Sequence, residues 1–275
     1  MDTFTHDGFT FDVDDSGPSD GELIVLLHGW PESRASYREV APLLAAAGYR
    51  VLVPDQRGYS PGARPKARSA YKLAALAGDI VALLDAAGVE RAHIVGHDWG
   101  GAVAWQLAAD HPHRVTTMTS LSTPHPTAFA RAMLRSTQAL SSSYMLFFQL
   151  PLLPEMGFGV GRRVMRRALL RAGMPEDYLD EYMTFLGQPG AARGGFNWYR
   201  ALPLGSYSGM GPIAVPVLYV FGTDDVGFVR KAADATRNYV TGPFRYEVLE
   251  GVSHWIPEEV PEIVAKFVLE FVAEH

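Results

Sequence analysis

The segment Gly96-His97-Asp98-Trp99-Gly100-Gly101 constrains this chain more than any other. The apolar run Ala92-His93-Ile94-Val95 leads into it, and Ala102 to Ala109 follows with the composition of a helix. Strand, glycine-flanked turn and helix in that order match a nucleophile elbow, a strained turn that lifts its central side chain above the end of a sheet. Serine is the usual centre of that motif; here the centre is Asp98. The plainer reading is a tight turn in which Asp98 caps a helix. A phosphate-binding loop is disfavoured, because the Gly-x-Gly-x-x-Gly spacing and a following cation are both absent.

The rest of the chain supplies the surroundings an elbow needs. Leu23 to Leu27 reads as a buried strand ending in His28-Gly29-Trp30-Pro31, Val40 to Gly48 as a helix, and Arg50 to Pro54 as the next strand. Lys72 to Ala87 has helical spacing and a capping Gly88, and Val115 to Leu121 is again a strand. This alternation predicts a mainly parallel sheet covered by helices. The rhythm breaks from His125 to about Pro212, where the pattern is helical and broken by Pro and Gly. It resumes at Val215 to Gly222, with a last strand at Phe244 to Leu249 and a last helix at Glu258 to Val272. The expected organisation is an α/β core of residues 1–124 and 213–275, with a helical cap of residues 125–212 inserted above the strand ends where such sheets bind ligands.

A carboxylate nucleophile needs a base, and the base needs an orienting acid. On an elbow fold they follow in the order nucleophile, acid, histidine. Gly222-Thr223-Asp224-Asp225 offers the acid, with Asp225 preferred to Asp224 by its distance from the glycine. Gly251-Val252-Ser253-His254 offers the histidine after the last strand. Attack by Asp98 on an ester carbonyl would give only an anhydride. Attack on a saturated carbon bearing a leaving group gives an alkyl ester, which water activated by His254 can hydrolyse. The oxyanion then develops on Asp98 itself, so its donors are expected to be the backbone N–H groups of Trp30 and Trp99. The substrate class is strained epoxides or carbons bearing a halide.

Composition excludes other classes. The chain has 275 residues, 48% of them hydrophobic, which is enough for a full core. It has no cysteine, so thiolate metal sites and disulfides are absent. A net charge of −6 gives no footprint for nucleic acid. The N-terminus does not resemble a signal peptide and no apolar stretch reaches membrane-spanning length, so the expectation is a cytoplasmic protein without stable membrane insertion. No cofactor and no metal are expected. Gly161 to Arg171 forms a basic amphipathic helix, read as a solvated face in preference to a membrane contact or a steering patch for anions.

The chain resembles the epoxide hydrolase branch of the α/β-hydrolase family. The resemblance is carried by His28-Gly29-Trp30-Pro31-Glu32-Ser33, Asp55-Gln56-Arg57-Gly58-Tyr59, the elbow, Asn197-Trp198-Tyr199-Arg200 and Gly251-Val252-Ser253-His254-Trp255. It implies an α/β-hydrolase fold and cofactor-independent opening of a small apolar epoxide by water to a vicinal diol. The cap tyrosines of that family protonate the epoxide oxygen, and Tyr199 matches one of them. The stretch Tyr144-Met145-Leu146-Phe147-Phe148-Gln149 departs from the family pattern, with Phe147 where the second donor is expected. That leaves Tyr199 acting alone, or Tyr144 or His125 as its partner, with Tyr144, Phe147 and His125 as substrate contacts. The alternative activity is haloalkane dehalogenation by the same triad, with the Trp99 indole and a second donor such as Trp30 holding the halide. A non-catalytic binder of this fold would have no use for the base and its acid. A homodimer is compatible with everything above.

Overall fold

The computed structural model describes residues 1–205 and 210–275; residues 206–209, inside the expected cap, lie outside the described residues. The chain opens with the strands β1 (Thr3–His6) and β2 (Phe9–Ser16), followed by β3 (Leu23–Leu27), helix α1 (Val40–Ala46), β4 (Arg50–Pro54) and α2 (Leu73–Ala86). Next come β5 (Ala92–His97), α3 (Trp99–Asp110) and β6 (Val115–Leu121). Six helices then run without a strand among the described residues: α4 (Pro126–Arg135), α5 (Gln138–Ser141), α6 (Tyr144–Phe148), α7 (Arg162–Arg171), α8 (Glu176–Leu186) and α9 (Ala191–Ala201). The chain closes with β7 (Val217–Gly222), α10 (Arg230–Ala235), β8 (Phe244–Leu249), α11 (Ile256–Glu259) and α12 (Pro261–Ala273).

The eight strands form one sheet in the order β1-β2-β4-β3-β5-β6-β7-β8. Pairing is parallel from β4 to β8, and antiparallel at β1–β2 and β2–β4. Strand β3 shows why the central strands are apolar throughout. Ile24 and Leu26 join the core under α1 and α12, while Leu23, Val25 and Leu27 join the core under α2 and α3. Both faces of the pleat are covered, so every residue is buried. Each such side chain contributes roughly 2 kcal/mol. β1 and β2 give no apolar run in the sequence, because their buried Phe4, Phe11 and Val13 alternate with Thr and Asp. Helix α10, six residues long, is too short to show a helical period. No helix among the described residues is long and apolar enough to cross a membrane.

Candidate active site

The ends of β3, β5, β6, β7 and β8 converge beneath the cap. Asp98 follows β5 with φ 47° and ψ −118°, a conformation that L side chains rarely adopt. Close packing of the elbow explains its glycines. A Cβ on Gly100 would strike the Leu27 carbonyl oxygen, one on Gly96 the Gly100 carbonyl, and one on Gly29 the Asp98 side chain. The turn is tied down by the Thr123 hydroxyl, which donates to the Asp98 carbonyl at 2.6 Å, and by the Ala102 N–H at 3.1 Å.

Asp98, His254 and Asp225 come together at these ends. His254 Nδ1 lies 3.0 Å from Asp225 Oδ2, and Nε2 lies 3.5 Å from Asp98 Oδ2. The N–H groups of Gly227 and Phe228 donate to Asp225 Oδ1 at 2.7 and 2.9 Å and fix the acid. Asp224, the neighbour considered for the same task, is exposed. The Trp30 N–H donates to Asp98 Oδ1 at 2.8 Å. The charges lean on one another. Burial opposes ionisation of His254, but the Asp225 and Asp98 carboxylates outweigh it and raise its proton affinity well above the usual histidine range. Burial also opposes ionisation of Asp98, yet the His254 hydrogen bond and charge, with help from His97 and the Trp30 N–H, hold its carboxyl below the ordinary value. The two neighbouring carboxylates thus favour a proton on His254, and that proton in turn favours ionised Asp98.

A cavity of about 660 Å³ opens above Asp98, and Trp30, Tyr144, Tyr199 and His254 share its wall with apolar cap residues. Tyr199, on α9, is buried and stands edge-on to Trp30 and Trp99, with ring centroids 5.8 and 5.0 Å away. Burial, then the neighbouring Tyr144 and Asp98, push its phenol well above the ordinary value, while a hydrogen bond from the Trp99 side chain works against them. The phenol keeps its proton at neutral pH. The rest of the Asn197-Trp198-Tyr199-Arg200 motif fastens this helix. The Trp198 indole donates to the Arg57 carbonyl at 2.8 Å, and Arg200 grips Glu155 through two nitrogens and donates to the Phe148 and Leu150 carbonyls.

Tyr144, at the start of α6, has its ring centroid 6.1 Å from that of Tyr199. Phe147, one turn on, is 45% exposed at the cavity's outer edge. The residue beside Tyr199 in the cavity wall is thus Tyr144, and the departure at Phe147 falls on the rim. His125 is not in the cavity wall. It is fully buried, accepts the Thr127 N–H at 3.1 Å as the cap of α4, and stacks on Tyr239 with centroids 4.8 Å apart. The expectation that His125 contacts substrate is corrected: its place after β6 suggested the site, but its ring turns into the cap–core seam.

A buried cluster behind the site was not anticipated. His97 Nε2 donates to the His254 carbonyl at 2.7 Å, beside the Ser122 hydroxyl at 3.0 Å. His97 Nδ1 lies 2.7 Å from Glu32 Oε1, close enough for an ion pair although the angle falls short of a hydrogen bond. Glu32 Oε2 accepts the Gly29 N–H at 2.7 Å, so the carboxylate also braces the loop that presents the Trp30 N–H. Glu258 completes the group and accepts the Tyr182 hydroxyl of α8 at 2.9 Å. Burial, then the nearby Glu32, push the Glu258 carboxyl up to about 8. Three donor atoms of this group lie within 4.8 Å of one another. The 2.7 Å separation of Nδ1 and Oε1 is nonetheless shorter than the roughly 3.4 Å that two ligands span around a tetrahedral zinc. The group is a charge cluster built from adjacent motifs, and pairing across distant segments left no periodic trace in the sequence.

Comparison with known proteins places the fold in a family. Residues 22–261 match the family model described as alpha/beta hydrolase fold. The chain is 36% identical over 272 residues to the AB hydrolase superfamily protein YfhM of Bacillus subtilis, covering 96% of this chain and 95% of that one. It is 34% identical to epoxide hydrolase A of Mycobacterium tuberculosis, covering 96% and 94%. The crystal structure of epoxide hydrolase A from Mycobacterium thermoresistibile superposes with a TM-score of 0.84 at 29% identity, covering 98% and 97%. With its parallel sheet, its elbow and these relatives, the chain belongs to the α/β-hydrolase family, in the epoxide hydrolase branch.

Proposed function

We propose that this protein hydrolyses an epoxide to a vicinal diol through an alkyl ester of Asp98. The observation that carries the reading is the pair of phenols, Tyr144 and Tyr199, in the wall of the same cavity as Asp98. Opening an epoxide leaves an alkoxide that needs a proton, and a buried phenol that stays protonated at neutral pH supplies one. A departing halide needs no proton, and the Trp99 side chain that would hold it is engaged with Tyr199.

Asp98 Oδ2 attacks a ring carbon, the C–O bond of that carbon breaks, and a tyrosine hydroxyl protonates the released oxygen. The second step uses the electrostatics of the resting site. Esterification removes the charge of Asp98, one of the two carboxylates that keep His254 protonated. The imidazolium then gives up its proton, which restores the phenol of the tyrosine that protonated the opened ring, and becomes a base when the ester is ready for water. Water deprotonated at Nε2 attacks Cγ of Asp98, with the backbone N–H groups of Trp30 and Trp99 as oxyanion donors. Collapse releases the diol. Asp225 holds the ring orientation through Nδ1.

The test is a single turnover in oxygen-18 water, enzyme in excess, with a panel of epoxides and bromoalkanes. The expected result is diol from the epoxides, with label in the Asp98 carboxylate and none in that first diol. Label in the diol and none in Asp98 means direct attack by water and overturns the ester. Bromide release without diol formation overturns the epoxide assignment and leaves the ester standing.

A further inference from the structure

The mouth of the cavity has a construction that hydrolysis alone does not require. Phe147, Leu153, Met156, Val160, Val164 and Val226 line the cavity and are also exposed, Val160 at 87% and Val164 at 73%. Monomers rarely leave that much apolar surface together around one opening. Helix α7 forms part of this lip. Its Val164 and Ala168, with Ala172 just beyond, face the cavity. The next stripe on the helix is Arg163, Arg167 and Arg171, spaced four residues apart and so on one face, and all exposed.

Charge pairing isolates that stripe. The four acids of the adjoining helix α8 are already matched: Arg166 takes Glu176 and Asp180 at 2.5 and 3.1 Å, and Arg38 takes Asp177 and Glu181, each at 2.9 Å. Among the described residues, Arg163, Arg167 and Arg171 make no ion pair. The chain carries a net charge of −6, so three unmatched cations beside an apolar rim run against its overall balance.

We propose that this lip docks the protein on an anionic lipid bilayer, with the apolar rim entering the headgroup boundary and the three arginines facing the lipid phosphates. The arrangement is that of interfacial helices, which pair an apolar face with a cationic one and lie on the surface without spanning it. A second copy of the chain is a poorer occupant, because a two-fold contact centred on the arginine stripe would set like charges against one another. Apolar epoxides concentrate in bilayers, and the docked mouth receives them there without passage through water. Three cations near an anionic leaflet together multiply membrane affinity about a hundredfold.

Pelleting of the full-length protein with vesicles tests this without any substrate, so its outcome is separate from that of the epoxide assignment. Vesicles of phosphatidylcholine are compared with vesicles in which about a third of the lipid is phosphatidylglycerol, at low and physiological salt. Strong pelleting with the anionic vesicles is expected, and the charge-reversing triple variant R163E/R167E/R171E is expected to lose at least tenfold in that affinity with an unchanged melting temperature. Val160→Asp, on the exposed rim, is expected to weaken the binding that survives salt. Equal pelleting with both vesicle types, or no effect of the triple variant, overturns the proposal. So does a concentration-dependent dimer of the native protein that Val160→Asp dissociates, since the face then belongs to a second copy.

Discussion

Replacing Asp98 by asparagine isolates the electrostatic step on which the proposed cycle depends. The variant keeps the size of the side chain and removes its charge, as esterification does. At the observed 3.5 Å between His254 Nε2 and Asp98 Oδ2, an effective dielectric near 20 gives an attraction of about 5 kcal/mol. At about 1.4 kcal/mol per tenfold, that sets a ceiling of about three and a half orders of magnitude in proton affinity. The cavity admits solvent and the hydrogen bond to Asp225 persists, so the retained effect is smaller, and at least tenfold is expected. His254 of Asp98→Asn should therefore titrate at least one pH unit below the native enzyme. The midpoint is read from the imidazole ring resonances by NMR across pH 5 to 10. Coincident midpoints would refute the reasoning: Asp225 alone would then hold the imidazolium, and alkylation of Asp98 could not release the base.

Other expectations follow from the same contacts. Tyr199→Phe and Tyr144→Phe should each slow alkylation of Asp98 by an epoxide, by about 10²-fold or more for the principal donor, while leaving hydrolysis of a preformed ester nearly unchanged; stopped-flow tryptophan fluorescence separates the two steps, and unaltered alkylation in both variants sinks the phenol assignment. Glu258→Gln should change how stability depends on pH. The native carboxyl, raised by burial to about 8 from 4.5, holds a proton that the unfolded chain has already released. Native stability is thus lost as pH rises between those values and levels off above the higher one. The variant lacks this loss and should gain about 2–5 kcal/mol on the native protein between pH 5 and pH 9, measured by urea unfolding; parallel curves contradict the buried-acid reading.

The sheet and triad were legible because their signals are local. β3, β5 and β7 are buried on both faces and so read as unbroken apolar runs, and Asp98, Asp225 and His254 each stand just beyond a strand end in a short motif. The N-terminal hairpin was lost because β1 and β2 each bury alternate residues beside exposed polar ones. In the cap, spacing cannot give the rotation of a helix about its axis. Tyr144 and Phe147 are three residues apart and so lie on nearly the same side of α6; only packing against α9 turns the first toward Tyr199 and leaves the second at the rim. His125 failed for a related reason, since nothing local tells a pocket histidine from one that caps a helix. The Glu32–His97–Glu258 cluster was illegible because each charge is tolerated only through partners far away in sequence.

The two oxygens of Asp98 are made unequal by the fold, and this links the cluster to the chemistry. Oδ1 accepts the Trp30 N–H at 2.8 Å, from a loop braced by the Glu32–Gly29 hydrogen bond at 2.7 Å. Oδ2 faces the longer 3.5 Å approach of His254. An oxygen held by a short, fixed donor is the weaker nucleophile, so attack falls to Oδ2. The donor on Oδ1 then serves the second step, where the ester carbonyl becomes an oxyanion and the same N–H strengthens as charge gathers. That donor needs no reorganisation between the steps, provided the Trp30 loop does not yield. His97 holds the His254 carbonyl and pairs with the carboxylate that braces this loop, so one buried imidazole joins the base to the oxyanion donor. Loosening that joint should slow ester hydrolysis more than alkylation, because only the second step asks both ends to act on the same carbon.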